Sequence, residues 1–235
     1  MAIVLVAGFS LFFFKVNRLV SLMQAVQGKS VFKLDRIFDR IKVLFTDVLG
    51  QSEVRRKRMP GLAHTLIFFG FLAVQPHSLE LMIRGVFPGF QPAAWVPGLY
   101  GAYIFVADIL AFLVLFGLGY ALYRRLFIKP KYLTDGLDAR VIILFTAVII
   151  ITFHLINAFL MVPAIGGSGF NYSRYLTVSA AIHNIFFLID LSPEAAGIGF
   201  EIFYWIHILT ILGFLIYIPV SKHLHLLAAA PNVCL

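Results

Sequence analysis

Residues 139–162 read ARVIILFTAVIIITFHLINAFLMV, and this stretch decides the fold of the chain. A helix that rises ~1.5 Å per residue needs ~20 apolar residues to cross a hydrocarbon core of ~30 Å. The stretch exceeds that length, and its one Lys or Arg, Arg140, lies at the start. We therefore predict that it crosses a membrane as an α-helix.

Four other stretches have the same character, and together the five predict the fold class. The predicted spans cover residues 2–23, 61–83, 102–123, 139–162 and 199–220. Hydrophobic residues make up 61% of the chain and charged residues 13%, against roughly 25% charged in soluble domains. We predict an all-α integral membrane bundle of about five transmembrane helices, formed by residues 1–235 as a single membrane domain.

Two further segments are predicted to be helical without crossing the membrane. In residues 35–50, apolar side chains recur at helical spacing opposite charged ones such as Asp39 and Arg40. This pattern predicts a cytoplasmic amphipathic helix that lies on the membrane surface or forms the docking face for a cytoplasmic subunit. Residues 175–190 are apolar but short for a full crossing, so we predict a short interfacial helix there.

The basic residues indicate the orientation of the bundle. In the five-span arrangement, 17 of the 19 Lys and Arg residues fall on one side, and only Arg84 and Arg174 fall on the other. The positive-inside rule then places the N-terminus outside and the C-terminus in the cytoplasm. Basic residues that cluster beside apolar spans also explain the net charge of +8 without nucleic-acid binding. The single cysteine, Cys234, excludes a cysteine-ligated iron–sulfur site within this chain, so such chemistry would come from a partner.

Histidines give the strongest functional signal, because a histidine inside a bilayer is costly. The seven histidines are His64, His77, His154, His183, His207, His223 and His225. Any one of them could be structural, with a hydrogen bond to a backbone carbonyl of a neighbouring helix. The depth of each residue in its span places His64, His223 and His225 at one level. It places His77, His154 and His207 about 20 Å deeper, from a rise of ~1.5 Å per residue.

Paired imidazoles at two levels favour two stacked b-type haems over a mononuclear metal site. Two imidazole ligands make the haem iron six-coordinate, so that it transfers electrons without binding oxygen. His207 and His225 lie 18 residues apart, which is five turns at ~3.6 residues per turn, and they therefore share one face of the last helix. This arrangement predicts electron transfer across the membrane.

Several motifs resemble those of a known family. The segment from His207-Ile-Leu-Thr to Ile218-Pro-Val-Ser-Lys-His-Leu-His225 is similar to the last membrane helix of the gamma subunit of respiratory nitrate reductase, a five-helix dihaem cytochrome b. A closer likeness is to the membrane domain of heterodisulfide-reductase-type iron–sulfur oxidoreductases, including the membrane partner of electron-transfer flavoprotein. That likeness covers most of the chain from residue 45 onward. Its motifs are Val48-Leu-Gly-Gln51, Pro60-Gly-Leu-Ala-His64, Leu79-Glu80 and Ser221-Lys-His-Leu-His225.

The resemblance implies haem b as the cofactor, a membrane quinone as the substrate and a cytoplasmic iron–sulfur subunit or domain as the partner. It also implies a multi-pass protein of a bacterial cytoplasmic membrane. His64 and His225 would hold the inner haem iron, and His223 is the alternative to His225.

The outer haem departs from the nitrate reductase pattern. By the resemblance His207 would be one ligand, and its partner would lie ten residues after His64, where this chain has Val74. His77, one turn later, is the substitute, and His154 is the next candidate. The resemblance therefore implies two haems, with a single haem as the alternative.

Quinone chemistry also requires a group that exchanges protons. By depth, the candidates are Glu80 near the end of the second span, Asp108 inside the third and Glu201 at the start of the last. The alternative for each is a hydrogen-bonded or interfacial acid with no catalytic part. Glu80 and Asp108 are the predicted proton-exchange residues.

The leading hypothesis is a membrane cytochrome b subunit that relays electrons between a membrane quinone and a cytoplasmic iron–sulfur partner. One rival is a small proton-conducting channel or transporter, in which the same histidines and acids form a proton relay. The two halves of the chain show no inverted repeat in support of that rival. The other rival is a passive membrane anchor for a cytoplasmic enzyme.

Overall fold

The computed structural model describes residues 1–27, 37–51, 54, 58–131, 136–166, 170–225 and 228, and the regular structure within them is entirely helical. Five helices are long and apolar enough to cross a membrane. They are α1 (Ala2–Gln27), α3 (Arg58–Arg84), α5 (Pro97–Tyr123), α6 (Leu137–Leu160) and α9 (Pro193–Tyr217). The predicted all-α class and the five long apolar helices are thus confirmed.

Prolines and a serine cap explain where two of these helices begin. The helix predicted from residue 102 begins at Pro97, and the helix predicted from residue 199 begins at Pro193. Proline is favoured in the first turn, where its missing N–H would have no helical partner. The hydroxyl of Ser192 also accepts a hydrogen bond from the backbone N–H of Ala195, at 3.2 Å.

The described part of the chain also contains four shorter α-helices, α2 (Ile37–Val43), α4 (Pro92–Trp95), α7 (Pro163–Gly166) and α8 (Val178–Leu188), and single 3₁₀ turns at Tyr172–Arg174, Ile218–Val220 and Lys222–Leu224. Helix α2 continues into a π-helical turn, Leu44–Leu49, within the predicted amphipathic segment. Phe38 on this segment is 88% exposed. Residues 35 and 36 of that prediction, and Cys234, lie outside the described residues. Helix α8 occupies the middle of the predicted interfacial segment 175–190 and has 11 residues.

Helices α3 and α5 pack closely because glycines replace side chains at their contact. A Cβ atom added to Gly70 would come within 2.8 Å of the carbonyl oxygen of Leu110. A Cβ atom added to Gly117 would come within 2.9 Å of the carbonyl oxygen of Ala63. Small residues that let backbones approach are the usual contact between membrane helices.

The long helices alternate in direction, so the bundle has two ends. At one, which we call the Met1 end, Met1 borders a cavity of about 350 Å³ together with Arg84 and Glu201. The other, which we call the basic end, carries several cations. Described cations at the basic end include Arg58, Arg124, Arg125 and Lys222. Arg84 lies at the opposite end from this group, as the charge pattern predicts.

Candidate functional site

The structure brings three of the predicted histidines together at the basic end. His64 lies near the start of α3, and His223 and His225 lie on the turn that follows α9. All three border two adjoining cavities of about 260 and 330 Å³. The imidazole rings of His223 and His225 lie 5.1 Å apart between centroids.

The turn that carries His223 and His225 is held by hydrogen bonds to a neighbouring helix. At the end of α9, the hydroxyl of Tyr217 donates to Asp138 Oδ1 at 2.5 Å. The backbone N–H of Lys222 donates to Asp138 Oδ2 at 3.1 Å. The hydroxyl of Ser221 accepts from the backbone N–H of His223 at 3.0 Å, as in an N-terminal helix cap. The start of α6 therefore positions both histidines.

The contacts of His225 orient its ring. Its Nδ1 lies 2.9 Å from the carbonyl oxygen of Lys222. Because a carbonyl only accepts, Nδ1 carries a proton, and Nε2 is the nitrogen left for a ligand. Burial lowers the pKa of His223 to about 4, and the imidazole of His225 nearby acts in the same direction. Metal ligation requires neutral histidine.

The two cavities differ in character. We call the cavity of about 260 Å³ the apolar cavity, because Phe68, Phe71 and Phe214 line it. We call the cavity of about 330 Å³ the basic cavity. Its charged lining residues are Arg124, Arg125 and Lys222. The histidines and Thr146 border both, so the two spaces adjoin at the imidazole rings. The basic cavity alone falls at the lower end of the volumes that bind small molecules and cofactors, about 300–1,000 Å³, and the apolar cavity alone lies just below that range.

The deeper level is built differently, since His207 is fully buried and both its ring nitrogens have protein partners. Thr152 donates its one hydroxyl proton to the carbonyl oxygen of Val148 at 2.6 Å. Its oxygen therefore accepts from Nδ1 of His207, 2.7 Å away. Nε2 of His207 lies 3.0 Å from the hydroxyl of Ser78, which also lies 3.2 Å from the carbonyl oxygen of Val74. Both ring nitrogens of this histidine therefore face a hydroxyl group of the protein.

His77 follows Pro76 inside α3, and a tyrosine repairs the helix there. The backbone N–H of His77 donates to the hydroxyl of Tyr103 at 2.9 Å, and that hydroxyl donates to the carbonyl oxygen of Ala73 at 3.0 Å. The hydroxyl is thus inserted into the backbone hydrogen bonding of the helix, which is a known cause of kinks. Sequence reasoning missed Tyr103, although Pro76 within a predicted span was a signal that a partner would be needed.

The side chain of His77 belongs to a buried polar cluster with Glu80. Nδ1 of His77 lies 3.4 Å from Glu80 Oε2, and the hydroxyl of Tyr100 donates to the same oxygen at 2.8 Å. Arg84 lies 3.7 Å from the other carboxylate oxygen. Glu80 is therefore a partnered buried acid, and its role in proton exchange stays a prediction.

The haem between His77 and His207 stays a prediction, and the contacts around the two rings are close. An iron ligated by Nε2 of His207 would have to displace Ser78, and Phe153 packs edge-on against His77 with ring centroids 5.4 Å apart. Val74, which stands where the nitrate reductase pattern has a ligand, is also fully buried. The predicted outer pair is thus close-packed, and no chemical step is assigned to it.

His154 and Asp108 form a separate buried group that holds α8. Nδ1 of His154 lies 3.1 Å from Asp108 Oδ1. The Asp108 carboxylate also accepts hydrogen bonds from the backbone N–H groups of Thr177, Val178 and Ser179. It therefore serves as the N-terminal cap of α8, supplied by another helix. Nδ1 of His154 is therefore turned toward this cap.

Metal chemistry other than haem has little support in this geometry. Among the described residues, no group of three or more His, Cys, Asp or Glu side chains is placed to hold a metal ion. Haem iron needs only two protein ligands, because the porphyrin supplies the other four. The residues at the basic end fit such a group: imidazoles from two chain segments beside adjoining cavities, one of them apolar.

The fold and these histidines define a helical membrane protein with imidazole groups at two depths. Over 198 residues, 84% of the chain, it is 31% identical to the probable iron-sulfur-binding oxidoreductase FadF of Bacillus subtilis (strain 168), covering 27% of that protein. Over 206 residues, again 84% of the chain, it is 24% identical to EtfAB:quinone oxidoreductase of Syntrophomonas wolfei subsp. wolfei (strain DSM 2245B / Goettingen), covering 28% of it.

The chain spans about a quarter of the length of these curated relatives. Their names support an oxidoreductase-related family and a role linked to iron–sulfur electron transfer. The more specific likeness to nitrate reductase stays a prediction. No family model matches the chain, and no solved structure matches it significantly.

Proposed function

We propose that this chain is a membrane cytochrome b that relays electrons between a membrane quinone and an iron–sulfur partner at its basic end. The observation that carries the proposal is the meeting of His64 with His223 and His225 beside two adjoining cavities. Depth along the spans and the family resemblance both predict these residues as haem ligands, although His64 is far in sequence from the other two. The names of the two relatives, one iron–sulfur-binding and one quinone-linked, support the same class of reaction.

His64 and His225 are the proposed ligands of a single haem b. A haem iron with two imidazole ligands changes between its ferric and ferrous states without an open position for oxygen. His225 suits this role because the carbonyl oxygen of Lys222 fixes its Nδ1–H tautomer. A carbonyl that accepts from the far side of a ligating imidazole also raises its basicity.

The close packing of the deeper level supports our proposal of a single haem. The hydroxyls of Ser78 and Thr152 lie against the two ring nitrogens of His207. In our proposal His207 is therefore a core residue and not a haem ligand. Electrons would then enter and leave near the basic end. The positive-inside rule places this end at the cytoplasm and the N-terminus outside, within a bacterial cytoplasmic membrane.

The amphipathic helix α2 is the proposed contact for the iron–sulfur partner or domain. Its π-helical turn leads into Gln51, and Val48 and Gln51 line the apolar cavity beside the histidines. A partner that rests on this segment would therefore approach the proposed cofactor closely.

The decisive test is the haem content of the purified chain. After expression with haem supplementation, we expect a b-type reduced-minus-oxidised absorption spectrum and about one haem per chain. His64→Ala and His225→Ala should each lose the spectrum. His183→Ala is the matched control, because Nδ1 of His183, on α8, bonds the backbone carbonyl oxygen of Ala158 on α6 at 3.1 Å, away from the basic end.

Three results would count against parts of the proposal. A colourless protein without iron would end the cytochrome reading. Full haem content in His64→Ala would refute the ligand assignment. Two haems per chain, one of them lost in His207→Gln, would refute the single site and restore the outer pair.

A further inference from the structure

One wall of the basic cavity carries charged residues to which the proposed function assigns no role. Arg124 and Arg125 at the end of α5 and Lys222 after α9 line this cavity together with the three histidines. Three cations beside a cavity between helices form an arrangement that favours an anionic group. Among the described residues, the apolar cavity is lined by aromatic and other uncharged side chains beside the histidines, so these cations lie on one side of the imidazoles.

The backbone places the two arginines at this wall. Helix α5 continues past Tyr123 as a π-helical turn, Arg124–Ile128, and such turns often occur at functional sites. The guanidinium of Arg124 lies over the ring of Tyr120, with its central carbon 5.8 Å from the ring centroid. Nη1 of Arg125 donates to the carbonyl oxygen of Ala121 at 3.2 Å.

The third cation belongs to the same turn as the proposed ligand. The backbone N–H of Lys222 is bonded to Asp138, and the carbonyl oxygen of Lys222 is bonded to His225. The backbone of Lys222 is therefore fixed in the same turn as His225, three residues away. Arginine pairs with carboxylates through two parallel hydrogen bonds, and lysine adds a point charge.

We propose that Arg124, Arg125 and Lys222 bind the two carboxylate groups of the haem, so that the tetrapyrrole enters with its carboxylate edge in the basic cavity. Its hydrocarbon edge then lies in the apolar cavity, against Phe68 and Phe71. This inference rests on the proposed function and adds the residues that orient the cofactor. The same cations suit a phosphate as well, so an anionic lipid headgroup is the other source of the chemistry.

The test compares haem b with its dimethyl ester, in which both carboxylates are masked. Full-length protein without haem is prepared in a neutral detergent, and each porphyrin is titrated in while the absorption spectrum is recorded. We expect wild type to bind haem at least tenfold more tightly than the ester. In the double variant Arg124→Gln, Arg125→Gln, the preference should fall severalfold toward equal binding, and the part that remains should be lost when Lys222→Gln is added.

Arg174→Gln is the control variant, since Arg174 lies at the Met1 end against Tyr175. It should keep the wild-type preference for haem over the ester. Phosphatidylglycerol added in mixed micelles provides the lipid arm, and we expect it to leave the ratio of the two affinities unchanged.

The outcomes separate this inference from the proposed function. If wild type binds the ester as tightly as haem, the carboxylate site is refuted while the haem site stands. If phosphatidylglycerol binds at these cations and abolishes the preference, they form a lipid site and the inference is again refuted. If neither porphyrin binds, both proposals fail. The comparison of haem with its ester in wild type needs no variant, so it tests the carboxylate site even if the double variant misfolds.

Discussion

Asp108 provides the sharpest test of the structure, because capping and proton exchange predict different results for its removal. Its side chain is fully buried on α5. The carboxylate accepts backbone hydrogen bonds from Thr177 at 2.9 Å, Val178 at 2.7 Å and Ser179 at 3.2 Å. The hydroxyl of Ser179 donates to it as well, at 2.6 Å. Asp108→Ala removes all these acceptors at once.

The expected cost follows from the donors left behind. A buried donor without a partner costs about 1–3 kcal/mol, and loss of a helix cap typically costs ~1 kcal/mol. Three backbone donors are affected, but α8 can shift so that water reaches some of them. We therefore expect Asp108→Ala to lower the free energy of unfolding by about 3–5 kcal/mol, the range for breaking a buried charged contact. Asp108→Asn keeps one acceptor oxygen and should cost roughly half as much.

The free energy of unfolding can be measured by sodium dodecyl sulfate titration in mixed micelles, with tryptophan fluorescence as the signal. Hydrogen exchange should also speed up at residues 177–180 and stay unchanged at the basic end. Asp39→Ala, an exposed acid on α2, is the matched control and should change stability by less than ~0.5 kcal/mol. A fully stable Asp108→Asn protein that has lost quinone-linked turnover would refute the capping role in favour of proton exchange.

Three other substitutions test the packing and the turn. Gly117→Val should lower stability by several kcal/mol in the same titration, because its side chain would strike the α3 backbone, whereas Gly119→Val, with open space around it, should be nearly neutral. Tyr103→Phe should cost about 1–3 kcal/mol, since it leaves a backbone donor and acceptor of α3 without their partner, and exchange should rise at residue 77. Asp138→Asn should weaken haem binding about fivefold, because it loses ~1 kcal/mol of hydrogen bonding to the turn. The midpoint potential of the haem should shift as well, and Asp138→Glu should partly restore it.

Each of these has a contrary result. Equal stability of the Gly117 and Gly119 variants would mean that α3 and α5 do not approach as described. Unchanged hydrogen exchange at residue 77 in Tyr103→Phe would mean that the hydroxyl of Tyr103 does not bond the α3 backbone. Wild-type potential and affinity in Asp138→Asn would mean that the turn is held by other contacts.

The five long helices were predictable because hydrophobic length is set by the membrane itself. Any stretch such as residues 139–162 has one stable solution in lipid, with its backbone hydrogen bonds satisfied inside a helix. Helix starts were less predictable. Pro97 and Pro193 lie in loop-like sequence, and their preference for a first turn matters only once the following helix is known.

The group at the basic end was predictable from depth along the spans, whereas the deeper group was not. Depth places His77, His154 and His207 together, yet their partners lie on other helices. Those partners are Ser78, Thr152 and Ser179. Serine and threonine are common in membrane helices, where their hydroxyls usually bond the preceding turn, as those of Ser78 and Thr152 do here. No spacing rule in the sequence indicates that they face an imidazole.

What distinguishes the two levels is therefore the atom that each Nε2 meets. Nδ1 of each ring lies beside an oxygen, a backbone carbonyl for His225 and the Thr152 hydroxyl for His207. Nε2 of His207 lies against the hydroxyl of Ser78 in a fully buried core, whereas His225 borders two cavities. In our proposal this difference in space, more than residue type, decides which of the two histidines takes a cofactor, and the space depends on neighbours from several helices.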